Sequence, residues 1–139
     1  MRFRFRLEKV LEYRASQEDD AKQQYLNMRA TRFEGEAAIT SIGAKRRIAL
    51  GQPLSGLQAR LDLEARMSKF DDEERIAATA LTVMVNEEEA AEKMWQQKRQ
   101  ELKSIELLRE RALTEWAHEE ERREQVALDE WAVTRRRPK

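Results

Sequence analysis

One hexapeptide, Gly51-Gln-Pro-Leu-Ser-Gly56, constrains this chain more than any other stretch. Half of the chain's four glycines and one of its two prolines fall within it. Glycine and proline are the strongest punctuators of regular structure, so this is the one strong turn signal, and it leaves a long arm on each side. Both arms carry apolar residues at helical spacing. Stepping alternately by four and three from Leu7 to Ala49 visits thirteen positions, eight of them apolar. The same stepping from Leu63 to Trp116 visits sixteen, twelve of them apolar, against 40% for the whole chain. Each arm therefore has a seam of coiled-coil type, the second cleaner than the first.

Two heptad tracks joined by a short turn predict an all-α fold: a long two-helix antiparallel coiled-coil hairpin. The 139 residues are expected to form a single elongated coiled-coil domain. Its first arm would run at about 5–49, its turn at 50–56 and its second arm at about 57–135. Composition agrees, because 39% of the residues are charged and only 6% aromatic, the profile of long helices rather than of a compact core.

Two capping signals refine the second arm. Ser55 precedes Gln58, and Asp71 precedes Glu74, each with capping-box spacing. They fit a short helix after the turn, a break near residue 70 and a long helix from about Asp72. A continuous helix through Asp71 fits as well, since acidic residues are common on solvated faces. At 1.5 Å per residue the first arm is on the order of 65–70 Å long and a helix from Asp72 on the order of 95 Å. Part of the second arm must therefore overhang, at the turn or beyond Ile105.

The charge balance narrows the function classes. Lys and Arg number 27, and so do Asp and Glu, so no net charge draws the molecule to nucleic acid or anionic lipid. There is no cysteine, hence no disulfide framework or thiolate metal site. No apolar stretch approaches the ~18–20 residues of a bilayer span, and no secretory signal is expected from the first residues. No catalytic constellation, metal site or cofactor site is read from the residues. His118 is the one histidine. Clusters such as Glu87-Glu88-Glu89 read as solvated helix faces, some paired with arginines three or four residues on. No enzyme is expected.

Three features exceed what a bare coiled coil needs. Arg2-Phe3-Arg4-Phe5-Arg6 alternates with the period of a strand, but Leu7, Val10, Leu11 and Arg14 follow at helical spacing, so the stretch is read as the first turn of the helix. Trp95 and Trp116 lie on the apolar track, as core residues would. Trp131 falls off it and is a candidate contact. Finally, Arg135-Arg136-Arg137-Pro138-Lys139 closes the sequence. In an antiparallel hairpin both arginine-rich ends lie together. Arg2, Phe3, Arg4 and Arg6 with Trp131, Arg135, Arg136 and Arg137 would then make one basic, aromatic-studded tip, suited to an acidic or polar collar.

These residues resemble a known family. Phe5-Arg-Leu7-Glu-Lys-Val10-Leu11-Glu-Tyr13-Arg14, the run Glu18-Asp-Asp-Ala21, and Leu108-Arg-Glu-Arg111…Trp116…Glu121-Arg-Arg-Glu124-Gln125-Val-Ala-Leu-Asp129-Glu130 are similar to the FliJ family of flagellar type III export proteins. The likeness covers nearly the whole chain, and the related injectisome stalk proteins share the architecture. It implies a non-catalytic protein similar to the coiled-coil central stalk of rotary ATPases. Such a protein binds the ring of the export ATPase FliI with its termini in the central hole. It also contacts the export gate FlhA and helps to recycle export chaperones. The basic tip would grip the ring. The gate contact would fall on Phe70, Ala77, Leu81 and Met84, which follow the suspected break and are expected to outrun the first arm; packing against residues 32–49 is the competing account.

Two other classes stand beside this one. A nucleic-acid-binding coiled coil would use the terminal arginines, but the balanced charge and the lack of a long basic helix count against it. A generic scaffold or dimeric coiled coil is the other, since charged seam residues such as Arg14, Lys98 and Arg109 can specify register or oligomer state. The expected location is the cytoplasm, with membrane association only through partners at the export apparatus.

Overall fold

The computed structural model describes residues 2–136. Helix α1 spans Glu8–Leu50 and helix α2 spans Gly56–Arg136. The two pack against each other as an antiparallel hairpin, and there is no strand among the described residues. The packing falls into two units: a turn unit, Asp19–Gln96, and a free-end unit built from the residues up to Glu18 and those from Gln97 on. In the turn unit Tyr25 meets Trp95, Arg32 meets Glu88, and Arg46 meets Glu74. In the free-end unit Phe3 meets Trp116, Glu8 meets Arg109, and Arg14 meets Glu101. In both, one number rises as the other falls.

The seams lie where the heptad stepping places them. Every position stepped through from Leu7 to Ala49 and from Leu63 to Trp116 is half-buried or buried. The core is thin, because two helices can cover each other along only one stripe. Ala49, 7% exposed, is the one described residue that reaches core-like burial. The arginines that interrupt the stripe, Arg14, Arg32, Arg46 and Arg109, are matched across it. Arg32 Nε donates to Glu88 and its Nη1 to Glu36, 2.7 Å away. Arg46 Nη2 lies 2.6 Å from Asp71 Oδ1 and 2.8 Å from Glu74 Oε2. Removing water from a charge is costly unless a partner replaces it, so these pairs explain how an arginine tolerates a seam position.

Two expectations are corrected. The first six residues are not the first turn of a helix. α1 begins at Glu8, whose N–H donates to the Phe5 carbonyl at 3.2 Å. Before it, Arg2, Arg4 and Arg6 are exposed while Phe3, Phe5 and Leu7 are half-buried, so the period of two is real. The segment lays its apolar side on α2, where the Phe3 and Trp116 ring centroids stand 5.9 Å apart. The break near residue 70 and the short helix after the turn do not form either. α2 runs unbroken through Asp71. A capping carboxylate needs free amides at a helix start; a continuous helix offers none, and Asp71 and Glu74 accept from Arg46 instead.

The turn itself follows its residues. The Gly51 N–H donates to the Arg47 carbonyl at 3.1 Å and closes the last turn of α1. Pro53 cannot continue a helix. Gly56 takes φ +84°, a conformation that glycine adopts without a Cβ penalty, and so redirects the chain into α2. Ser55 stands at the helix start, but Gln58 does not complete the box, because its side-chain amide donates to Asp62 at 3.1 Å.

Candidate partner-binding surfaces

In the free-end unit, Phe3 of the N-terminal segment meets α2 at the level of Trp116. Arg109 anchors that level. Its Nε donates to Glu8 Oε2 at 3.2 Å, and its guanidinium carbon lies 5.7 Å from the centre of the Phe3 ring. Just inside, Arg14 Nη1 donates to Glu101 at 2.8 Å, with Lys98 Nζ 3.6 Å from the same carboxylate.

Beyond Trp116, α2 runs on to Arg136, and the ion pairs and cation–ring contact found there among the described residues join neighbours on α2 itself. Every residue from Glu121 to Trp131 is exposed. The continuing seam stripe turns mixed: Glu119, Arg123 and Glu130 are charged, while Val126 and Val133, 49% and 56% exposed, stay apolar. Local ion pairs replace burial: Arg122 Nη2 lies 2.8 Å from Glu119 and Arg123 Nη1 lies 3.5 Å from Glu120. The hydrogen bond and charge of Arg122 hold the Glu119 carboxyl below its ordinary range. Trp131 is 59% exposed, and the Arg135 guanidinium carbon stands 4.8 Å from its ring centre. That cation-over-ring arrangement presents a flat apolar face and a positive charge together.

The single tip expected from the sequence therefore resolves into two places. Arg2, Arg4 and Arg6 are exposed on the segment whose Phe3 meets Trp116 and whose following Glu8 meets Arg109. Trp131, Arg135 and Arg136 lie farther along α2, with Arg135 about 28 Å from the Trp116 level at 1.5 Å per residue. The reason is register: the first arm stops pairing some five turns before α2 ends. Arg137 lies outside the described residues.

In the turn unit, Phe70, Ala77, Leu81 and Met84 are half-buried seam residues. They do not outrun the first arm, because α1 extends to Leu50 and its Arg46 reaches both Asp71 and Glu74. Gly35 faces Met84 and Leu81 closely: a Cβ added there would stand 2.7 Å from Met84 Sδ and 3.3 Å from Leu81 Cδ1. Glycine is what lets the α1 backbone approach. Beside this stretch of seam α2 presents apolar surface at Ile76, 68% exposed, and Val83, 52% exposed, one heptad apart, with Leu57, Leu61 and Met94 exposed elsewhere in the unit. On α1, Phe33 is half-exposed with the guanidinium carbons of Arg29 and Arg32 5.4 and 4.5 Å from its ring centre. Stepping by seven off the seam would have found Ile76 and Val83; the seam itself drew attention away from them.

No described helix is long and apolar enough to cross a membrane. Among known proteins, the family model described as the flagellar FliJ protein matches residues 3–138. No curated protein and no solved structure matches the chain. With nearly its full length matched, and a helical hairpin behind it, this chain belongs to the FliJ family and is a flagellar export-related protein.

Proposed function

We propose that this chain is a non-catalytic part of the flagellar type III export apparatus, serving as the central stalk of the export ATPase ring and as an adaptor to the export gate and its chaperones. The observation that carries the reading is the bare stretch of α2 beyond Trp116. A helix that leaves its partner yet keeps a tryptophan and arginines exposed near its end is built to be held by something else. The stalk role comes from the resemblance to FliJ proteins, whose termini enter the central hole of FliI. The separation of the basic clusters refines it: Trp131, Arg135 and Arg136 would enter deepest, and Arg2, Arg4 and Arg6 would meet the ring at the level of Trp116. The adaptor contacts to FlhA and to export chaperones fit the exposed Ile76, Val83 and Phe33 better than the half-buried Phe70, Ala77, Leu81 and Met84. Such a protein would work in the cytoplasm, held at the inner membrane by the export apparatus.

A pull-down against FliI from the same organism tests this. Trp131→Ala combined with Arg135→Glu and Arg136→Glu is expected to abolish capture while circular dichroism stays that of the wild type. Wild-type protein that fails to bind assembled FliI would end the stalk reading.

A further inference from the structure

The turn unit ends in a surface that the stalk reading does not use. Ile48 and Leu50 at the end of α1, Leu54 in the turn, and Leu57 and Leu61 at the start of α2 are 49–73% exposed, with Leu57 at the top of that range. Every residue from Leu50 to Gln58 is exposed, and Leu54 also lines a cleft beside the turn with Ala49, Pro53, Ala59 and Leu63. Charge there is one-sided in a chain that is otherwise balanced. Between Glu36 and Asp62 there is no acidic residue, whereas Lys45, Arg46, Arg47 and Arg60 all fall in that interval. Arg46 is taken by Asp71 and Glu74. No ion pair engages Lys45, Arg47 or Arg60 among the described residues, and all three are exposed.

The helix dipole accounts for Arg47, which lies in the last turn of α1 where a cation is favoured. It does not account for Arg60. That residue sits near the start of α2, the positive end of the helix, and α2 has no acidic residue in its first turn. Its helix end does not favour the cation, and no ion pair engages it among the described residues. A second copy of the same tip would bring like charges together. A surface of exposed aliphatic side chains, flanked by cations with no ion pair among the described residues, matches the interface of an anionic bilayer, where leucines enter the headgroup boundary and basic side chains meet lipid phosphates. We propose that the turn tip of this protein binds anionic membrane surface directly, with Leu54 and Leu57 inserted and Lys45, Arg47 and Arg60 on the headgroups.

The chain has no cysteine, so a single Leu54→Cys variant can carry an environment-sensitive fluorophore, with Ser68→Cys as the control. Wild-type protein is expected to float with vesicles of phosphatidylcholine and phosphatidylglycerol and not with phosphatidylcholine alone. The label at position 54 should shift to the blue on anionic vesicles and the label at 68 should not. Lys45→Gln, Arg47→Gln and Arg60→Gln together should weaken binding about a hundredfold, from roughly a decade or less per cation. Helicity by circular dichroism should stay unchanged, since these side chains are exposed. Failure of the wild type to float on anionic vesicles overturns the proposal. So does flotation with an unshifted label at 54, or with affinity unmoved in the triple variant. Capture of an acidic protein by the tip with no vesicle binding would make it a protein-docking surface and equally overturn it. None of these outcomes involves FliI, so they leave the stalk reading to stand or fall by its own test.

Discussion

Trp95 and Trp131 stand on the same helix and live by different rules. Trp95 lies on the seam of the turn unit, half-buried, its ring stacked on Tyr25 at 5.4 Å between centroids. Trp131 lies on the bare stretch of α2, 59% exposed, covered only by Arg135 from its own helix. The first region is helical because it buries a stripe against a partner helix. The second is helical through propensity and ion pairs three and four residues apart, which contribute only tenths of a kcal/mol each. One helix is thus a structural element in one part and a presented surface in another.

The strongest way to break this comparison is to truncate both tryptophans. Trp95→Ala is expected to lower unfolding free energy by about 2–4 kcal/mol, because it opens the stacked seam. Trp131→Ala should change it by less than about 0.5 kcal/mol. Urea denaturation followed by circular dichroism decides; equal effects would mean that the bare stretch is packed on something. Next in size are the seam charges. Glu88→Gln, which leaves the Arg32 guanidinium with Glu36 alone, should cost about 1–2 kcal/mol. Glu120→Gln, on the bare stretch, should be close to neutral, and a double-mutant cycle with Arg32→Gln would show whether the 32–88 coupling is real.

A smaller effect separates local from global stability. Ala127→Gly should cost about 1 kcal/mol of local helix without moving the denaturation midpoint, and hydrogen exchange should show faster amides only around residues 121–136. A shared shift in both would mean that the two regions unfold together. The smallest effect is a titration. Glu119 is held below its ordinary range by Arg122. A carboxyl depressed in the folded state stabilises above its unfolded pKa, and that contribution is lost as pH falls through the folded value. Arg122→Gln should return Glu119 toward the ordinary carboxylate range in an NMR titration, and an unmoved midpoint would show that Arg122 is not the cause.

Much of this was legible from residue spacing, because heptad periodicity is a local property. The seam from Leu7 to Ala49 and from Leu63 to Trp116, the turn at Gly51–Gly56, and the exposure of Trp131 all follow from it. What spacing could not carry is which residue meets which across the hairpin. Arg2–Arg6 looked like a helix start because the Trp116 that receives Phe3 is far away in sequence. Asp71 and Glu74 looked like a cap because their partner, Arg46, lies on the other helix. The overhang of the second arm was expected from its length, but whether it falls at the turn or beyond Ile105, and so parts the two basic clusters, is a matter of register that no one arm encodes. Ile76 and Val83, one heptad apart, were missed because the stepping followed the seam alone, and the aliphatic turn because its residues lie outside any heptad track.

The matched charges of the turn-unit seam have a mechanical consequence. A uniformly leucine seam could creep under load in steps of seven residues, each step offering an equivalent fit. Here such a step would carry the Arg32 guanidinium from Glu88 to the neighbourhood of Leu81 or Trp95, and Arg46 from Glu74 to that of Met67 or Leu81. Each would part the arginine from its seam carboxylate on the other helix and set it beside an apolar residue, although Arg32 would keep Glu36 of its own helix. The pairs behave as teeth in a rack: they leave the two helices free to flex yet block them from sliding, so a pull on one strand is delivered to the other without slip.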